Sequence, residues 1–224
     1  MITVIHPSRE RPEIAKRIYD EWLMKADKHF EYFLCIEPDQ EEEYLKYFDK
    51  KDILVNDTLT AIEAINLGAK HARKVGFDIL VVISDDFHCF EKWDIAIEKA
   101  MQGKENICLK TFDGIHDWLV TLPIIDVAFY DSFGYVYHPK YKHMFCDTEL
   151  TTVAEYTDRI VFANYLVFKH KQLNDALNVR NNKTWEHGER IYLERYNEGF
   201  GINKIKEISC LNHTKWLRNK GVHI

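Results

Sequence analysis

The most constraining stretch of this chain is Asp78–Phe87, DILVVISDDF. An acidic start leads through Ile79, Leu80, Val81, Val82 and Ile83 to small Ser84, then Asp85, Asp86 and Phe87. An unbroken, largely β-branched run of this length fits a strand buried on both faces, as in the middle of a parallel sheet. Side chains at the carboxyl end of such a strand project into the crevice where open α/β sheets bind ligands. Two adjacent carboxylates there repel each other unless donors or a cation stand between them. A hard divalent cation carrying substrate phosphates resolves the repulsion. The plainer alternative has one acid capping a helix that begins near Glu91 and the other solvated.

Around this stretch the chain alternates strand and helix. Ile2–His6 reads as a first strand stopped by Pro7, and Ile14–Met24 has apolar residues at helical spacing. Glu31–Ile36 is a second strand, Tyr44–Phe48 with its acidic approach a solvated helix, and Asp52–Val55 a third strand. Thr60–Lys74 sets Ala61, Ala64, Ile65, Gly68, Ala69 and Ala72 on one face, a helix packed closely on a sheet and ended near Gly76. After the Asp78 strand come a helix at Glu91–Met101 and a strand at Asn106–Leu109. This rhythm predicts an α/β fold with a mostly parallel sheet and helices on both faces. Beyond Asp113 it changes: Trp118–Leu122 and Ile124–Tyr130 are strand-like, Asp131–Gly134 reads as a turn, and a helix opened at Asp147–Val153 is expected to run on through Asp158–Lys171. Lys204–Leu211 reads as a late strand. No linker separates the halves, so one domain is expected, with residues 1–112 binding the ligand and 113–224 shaping a second, mixed side.

At 224 residues, 46% apolar and 29% charged, the chain is ordinary for a globular protein of one domain. Its net charge of −6 argues against a broad nucleic-acid-gripping face. Five cysteines without C-x-x-C spacing fit reduced thiols and a cytoplasmic setting. No apolar run of the length needed to span a membrane is present.

The first strand leads into HPSRERP, residues 6–12, with neither G-x-G-x-x-G nor a P-loop. It offers instead Ser8, Arg9 and Arg11, and arginine forks suit phosphate, ribose edges or a stacked base. Set beside the acids that end the fourth strand, this turn fits a nucleoside diphosphate whose charge is shared between arginine and a metal.

These residues carry a resemblance. The order of elements, Pro7-Ser8-Arg9 after the first strand and Ser84-Asp85-Asp86 closing a buried one resemble the GT-A glycosyltransferases of the family 2 type. The resemblance implies a single GT-A-like, Rossmann-related domain, a donor half over 1–112 and an acceptor-side half over 113–224. It implies Mn2+ or Mg2+ on Asp86, with His213 as a further ligand, because some metal-dependent members bring a C-terminal histidine to the cation. It implies donor contacts from Pro7, Ser8, Arg9, Arg11, Asp39, Asn56, Ser84 and Asp85, the last at the ribose. The donor expected is a nucleoside diphosphate sugar, a UDP-sugar first. Ser84 stands where the fuller acidic motif has an acid, and Cys146 stands where the family usually has the first of an acidic pair. The second acid of that pair, the catalytic base, aligns with Asp147. The activity implied is transfer of a sugar to an acceptor hydroxyl by single displacement with inversion. From its residues alone Asp147 equally suits a helix N-cap, with Thr148 and Glu149 in the first turn.

Other side chains also admit plainer roles. His138, His143 and Asp147 have no regular metal-ligand spacing, and His116-Asp117 lacks a placed partner histidine. Trp118, Trp185, Phe133 and Tyr135 suit stacking on a sugar or base, though lone aromatics more often fill cores. Trp185–Gly188 reads as a lid over the donor. Competing functions are a nucleotidyltransferase, disfavoured by the missing Gly-rich loop, a non-catalytic nucleotide-sugar-binding module, and a transferase acting on a modified base in nucleic acid.

Overall fold

The computed structural model describes residues 1–57, 60–171, 173, 176, 179 and 183–202; His213 and the expected Lys204–Leu211 strand lie outside these. Strands β1 (Ile2–Pro7), β2 (Glu31–Ile36), β3 (Ile53–Val55), β4 (Ile79–Val82), β6 (Cys108–Phe112), β7 (Ile124–Asp126) and β8 (Ile160–Val167) form one sheet in the order β3-β2-β1-β4-β7-β6-β8. β1 runs parallel to β2 and β4, β2 to β3, and β6 to β8; β7 alone runs antiparallel, between β4 and β6. The carboxyl ends of β1, β2, β3, β4, β6 and β8 therefore share one edge. Strand order reverses between β1 and β4, which makes that point of the edge the crevice where α/β sheets place ligands. A ribbon of β5 (Phe87–His88) and β9 (Lys169–His170) crosses the same edge.

Helices α1 (Pro12–Lys25), α2 (Glu41–Tyr44), α3 (Ala61–Val75), α4 (Trp93–Met101), α5 (Val127–Phe133), α6 (Cys146–Tyr156) and α7 (Trp185–Asn197) supply the flanking layers. Two apolar clusters cover the two faces of the sheet. One gathers Ile5, Leu80, Ile125, α3 and α6; the other gathers Val4, Val81, Leu109 and the fully buried Trp22 and Trp93. The small-residue face of α3 has its reason: a Cβ at Gly68 would lie 2.6 Å from Cys35 Sγ and 2.9 Å from Ile5 Cγ2. Only glycine lets the helix sit that close to β1 and β2.

Several sequence expectations fail, most of them after Asp113. Ile124–Tyr130 is not one strand, because the Asp126 side chain accepts from Phe129 N–H at 2.8 Å and starts α5 there. That helix takes in most of the expected Asp131–Gly134 turn, and Gly134 closes it at φ 73°. Trp118–Leu122 is not a strand; it lies in the irregular connection from β6 to β7. The helix opened at Cys146 does not reach Lys171, because Asp158 takes the left-handed conformation (φ 58°) and the β-branched and aromatic run after it joins the sheet as β8. Trp185–Gly188 is no lid but the first turn of α7. A Cβ at Gly188 would lie 2.3 Å from the Met144 carbonyl oxygen, so this turn is packed against the approach to α6.

Candidate active site at the carboxyl edge of the sheet

β4 stops at Val82, four residues short of Asp86. Phe87 N–H then bonds back to the Ser84 carbonyl at 3.2 Å, so Ser84–Phe87 is a turn that lifts both acids onto the edge and feeds β5. Trp22 Nε1–H donates to the Phe87 carbonyl at 2.9 Å and fixes the far side of the turn.

The two carboxylates have different surroundings. Asp85 is buried; its Oδ1 lies 3.0 Å from His6 Nε2, and its Oδ2 lies 3.6 Å from Arg11 Nη1. His6 is fully buried at the end of β1, with Nδ1 2.8 Å from the Tyr32 hydroxyl, so a Tyr32–His6–Asp85 chain runs into the core. Asp86 accepts from the Ser84 hydroxyl and lies 3.1 Å from His170 Nε2. Burial pushes the Asp86 carboxyl up, but His170, Ser84 and Arg11 outweigh it and hold the group below the ordinary carboxylate range. His143, on the approach to α6, is driven down by burial and partly restored by the charge of Asp86.

The remaining residues expected to touch the donor fall on the same edge in two groups. Pro7 ends β1 opposite Cys35, and the Ser8 hydroxyl is held at 2.7 Å by Tyr44 OH, which also accepts from Arg11 N–H at 3.2 Å. Tyr44 thereby shapes the turn that brings Arg11 to Asp85. Arg9 turns to the rim, where Glu37 (3.2 Å), Asp39 (2.9 Å) and Glu10 (3.2 Å) surround it. Burial draws its guanidinium down and those acids more than restore it. Asn56 follows β3, its N–H on the Ile36 carbonyl at 2.8 Å and its amide side chain against the Cys35 thiol.

α6 begins at this edge and returns the chain to the opposite one, where Arg159 receives Cys108 N–H at the start of β6. Its N-cap is Phe145, at φ 70°, so Asp147 is a residue of the first turn and not the cap. Asp147 Oδ1 accepts from its neighbour Thr148 N–H at 2.8 Å. Burial raises the Asp147 carboxyl above its ordinary value, opposed by Thr148 and by the charge of His116. A carboxylate held up in this way is a better proton acceptor than a solvated one.

Four histidines that the sequence reading passed over or left unassigned, His6, His116, His143 and His170, stand among these acids. Among the described residues no three histidine, cysteine or acidic side chains converge as a metal cage. The donor set at Asp86 nonetheless fits Mg2+ or Mn2+, which take one or two carboxylates and fill the rest of the shell with phosphate oxygens and water. A small crevice lies elsewhere, lined by Phe129, Phe133, Tyr135, Leu150 and Phe200 among others and by none of Asp85, Asp86 and Asp147. Phe133 and Tyr135 thus belong to that crevice, Trp118 is buried, and Trp185 packs on Phe145 with ring centroids 4.9 Å apart. No helix among the described residues is long and apolar enough to cross a membrane.

Neither a family model nor a curated protein matches the sequence. Solved structures do match in fold. Glucosyl-3-phosphoglycerate synthase from Mycobacterium tuberculosis, solved with Mg2+ and UDP, aligns at TM-score 0.61 and 14% identity over 87% of this chain and 79% of that one. TarS from S. aureus, solved with UDP, aligns at TM-score 0.58 and 12% identity over 96% and 78%. The mannosyltransferase PcManGT from Pyrobaculum calidifontis, solved with GDP-Man and Mn2+, aligns at 0.56 and 11% over 80% of this chain but only 59% of its own. In another TarS structure this chain spans 47% of the matched chain. At these identities the likeness is one of fold: the chain has the GT-A architecture of nucleotide-sugar glycosyltransferases.

Proposed function

We propose that this chain transfers a sugar from a nucleoside diphosphate sugar to an acceptor hydroxyl, with inversion at the anomeric carbon. The observation that carries the reading is the Ser84–Phe87 turn. It sets two differently held carboxylates at the strand-order reversal, beside an arginine from the first βα turn, on the same edge from which α6 starts with Asp147 in its first turn. Structures with the same fold were solved with UDP or GDP-Man together with Mn2+ or Mg2+, which supports the donor class.

In this reading residues 1–112 hold the donor and 113–224 shape the acceptor side. Asp86 would hold Mg2+ or Mn2+, whose chemistry is to neutralise the diphosphate as it departs. Asp85, fixed by His6 and Arg11, faces the ribose, with Pro7, Ser8, Ser84 and Asn56 lining the donor. Arg9 and Asp39 form the rim on the base side. His213 is kept as a further ligand in the proposal. The acceptor oxygen forms its bond to the anomeric carbon as the bond to the β-phosphate oxygen breaks, and the diphosphate leaves with that electron pair. Asp147 takes the acceptor proton, a contribution of roughly 10²–10⁴-fold.

A thermal-shift panel of nucleoside diphosphates and nucleotide sugars, with and without Mn2+, tests the donor reading. A ligand at ~100 times its Kd adds about 2.7 kcal/mol to the folded state. A shift that needs the metal, followed by release of nucleoside diphosphate, is the expected result. A shift without any release under acceptor screening identifies a binding module, and no shift across the panel overturns the donor class.

A further inference from the structure

Beside the carboxylates already placed, the edge carries a hydrogen-bonded acid–histidine pair with no role so far. Asp113 follows β6 and is buried. Its Oδ1 accepts from Ile115 N–H at 2.7 Å and His116 N–H at 2.6 Å, while Oδ2 lies 2.8 Å from His116 Nδ1 and accepts from Thr121 Oγ at 3.0 Å. One carboxylate thus ties up the connection from β6 towards β7 and orients the imidazole through Nδ1. The connection is bolted to α6, because Val120 N–H donates to Thr151 Oγ at 2.9 Å and Thr151 Oγ donates to the Asp147 carbonyl at 2.8 Å.

We propose that His116, held by Asp113 on a strap tied to α6, is a positioning residue that stands beside Asp147 and keeps that carboxylate ready to receive the acceptor proton. The inference rests on the reading of Asp147 as the base. The electrostatics of the pair agree with that geometry. The hydrogen bond to Asp113 raises the His116 imidazole above its ordinary value, with the charges of Asp113 and Asp147 adding to this and burial and Lys110 opposing it. Asp113 itself is pushed up by burial but held well below the ordinary range by His116 and the two N–H groups. The His116 cation in turn opposes the burial that lifts Asp147. The other titratable groups that sense Asp147 are Tyr137, from the segment after α5, and Cys146 of α6. Burial drives both upwards, towards their neutral forms, which leaves His116 as the group whose charge favours the Asp147 anion.

The test is an NMR titration of the His116 Cε1–H signal in the full chain, assigned by loss of that signal in His116→Gln. In Asp147→Asn the His116 midpoint should fall by roughly half a pH unit or more, because a neighbouring anion has gone. An unmoved midpoint, with the fold intact by its remaining spectrum, overturns the proposal; Asp147→Ser gives the same comparison should the first variant be unstable. Transfer by His116→Gln supplies the second readout. Its acid limb should move up by about one pH unit, as Asp147 loses the charge that favours its ionised form. A uniform loss of rate with an unmoved limb also overturns it, since a purely structural role predicts that pattern. Full transfer by Asp147→Asn with a shifted His116 midpoint would instead remove the base reading and leave the electrostatic link standing.

Discussion

Asp86 and Asp147 are both carboxylates at the head of a turn, yet their surroundings push them in opposite directions. His170, Ser84 and Arg11 favour the anion of Asp86, whereas burial disfavours that of Asp147. Asp86→Asn should abolish the metal-dependent part of a nucleotide-sugar thermal shift. Asp147→Asn should leave donor binding intact while lowering kcat by about 10²–10⁴-fold. It should also raise the melting temperature at neutral pH: a carboxyl whose folded value is raised loses stability as pH rises through that value, and the amide removes this loss. The acids themselves were legible in the sequence, because DD at the end of an apolar run and an acid at a helix start are local signals. The histidines were not. His170 meets Asp86 across 84 positions and His6 meets Asp85 across 79, and a lone histidine carries no periodicity that would announce such a meeting.

At the scale of elements, the first four strands and α1, α3 and α4 followed from hydrophobic period and turn residues, with ends moved by a few positions. The misreadings cluster after Asp113, where a single side chain or dihedral outweighs the apolar pattern: Asp126 turns strand into helix, and Asp158 turns helix into strand. Gly188 shows the same dominance of a point contact. Its neighbourhood looked like a mobile loop, yet the glycine is what lets α7 lie against the Met144 carbonyl. Gly188→Ala should cost about 1–3 kcal/mol, as overpacking against backbone does, measured as a lower urea midpoint at unchanged m.

For the molecule as a whole, acid stability is set by the carboxylates that the fold holds low. Asp113 and Asp86 both lie below their ordinary value of 3.8 in the folded state. Their contribution is complete above that value and is lost as pH falls through and below it. Urea midpoints should therefore drop steeply below about pH 4, and Asp113→Asn should flatten that drop while starting from a lower plateau.

His170 occupies a peculiar place in this scheme. Its ring touches Asp86, and its backbone N–H is given to the Asp113 carbonyl at 2.8 Å, so one residue of β9 grips both an acid of the Ser84–Phe87 turn and the strap on which His116 rides. A donor held at Asp86 would bear on that strap through His170. On the proposed transfer, the expected outcome is ordered arrival, nucleotide sugar before acceptor, which product-inhibition kinetics checks: the nucleoside diphosphate should compete with the former and be noncompetitive towards the latter.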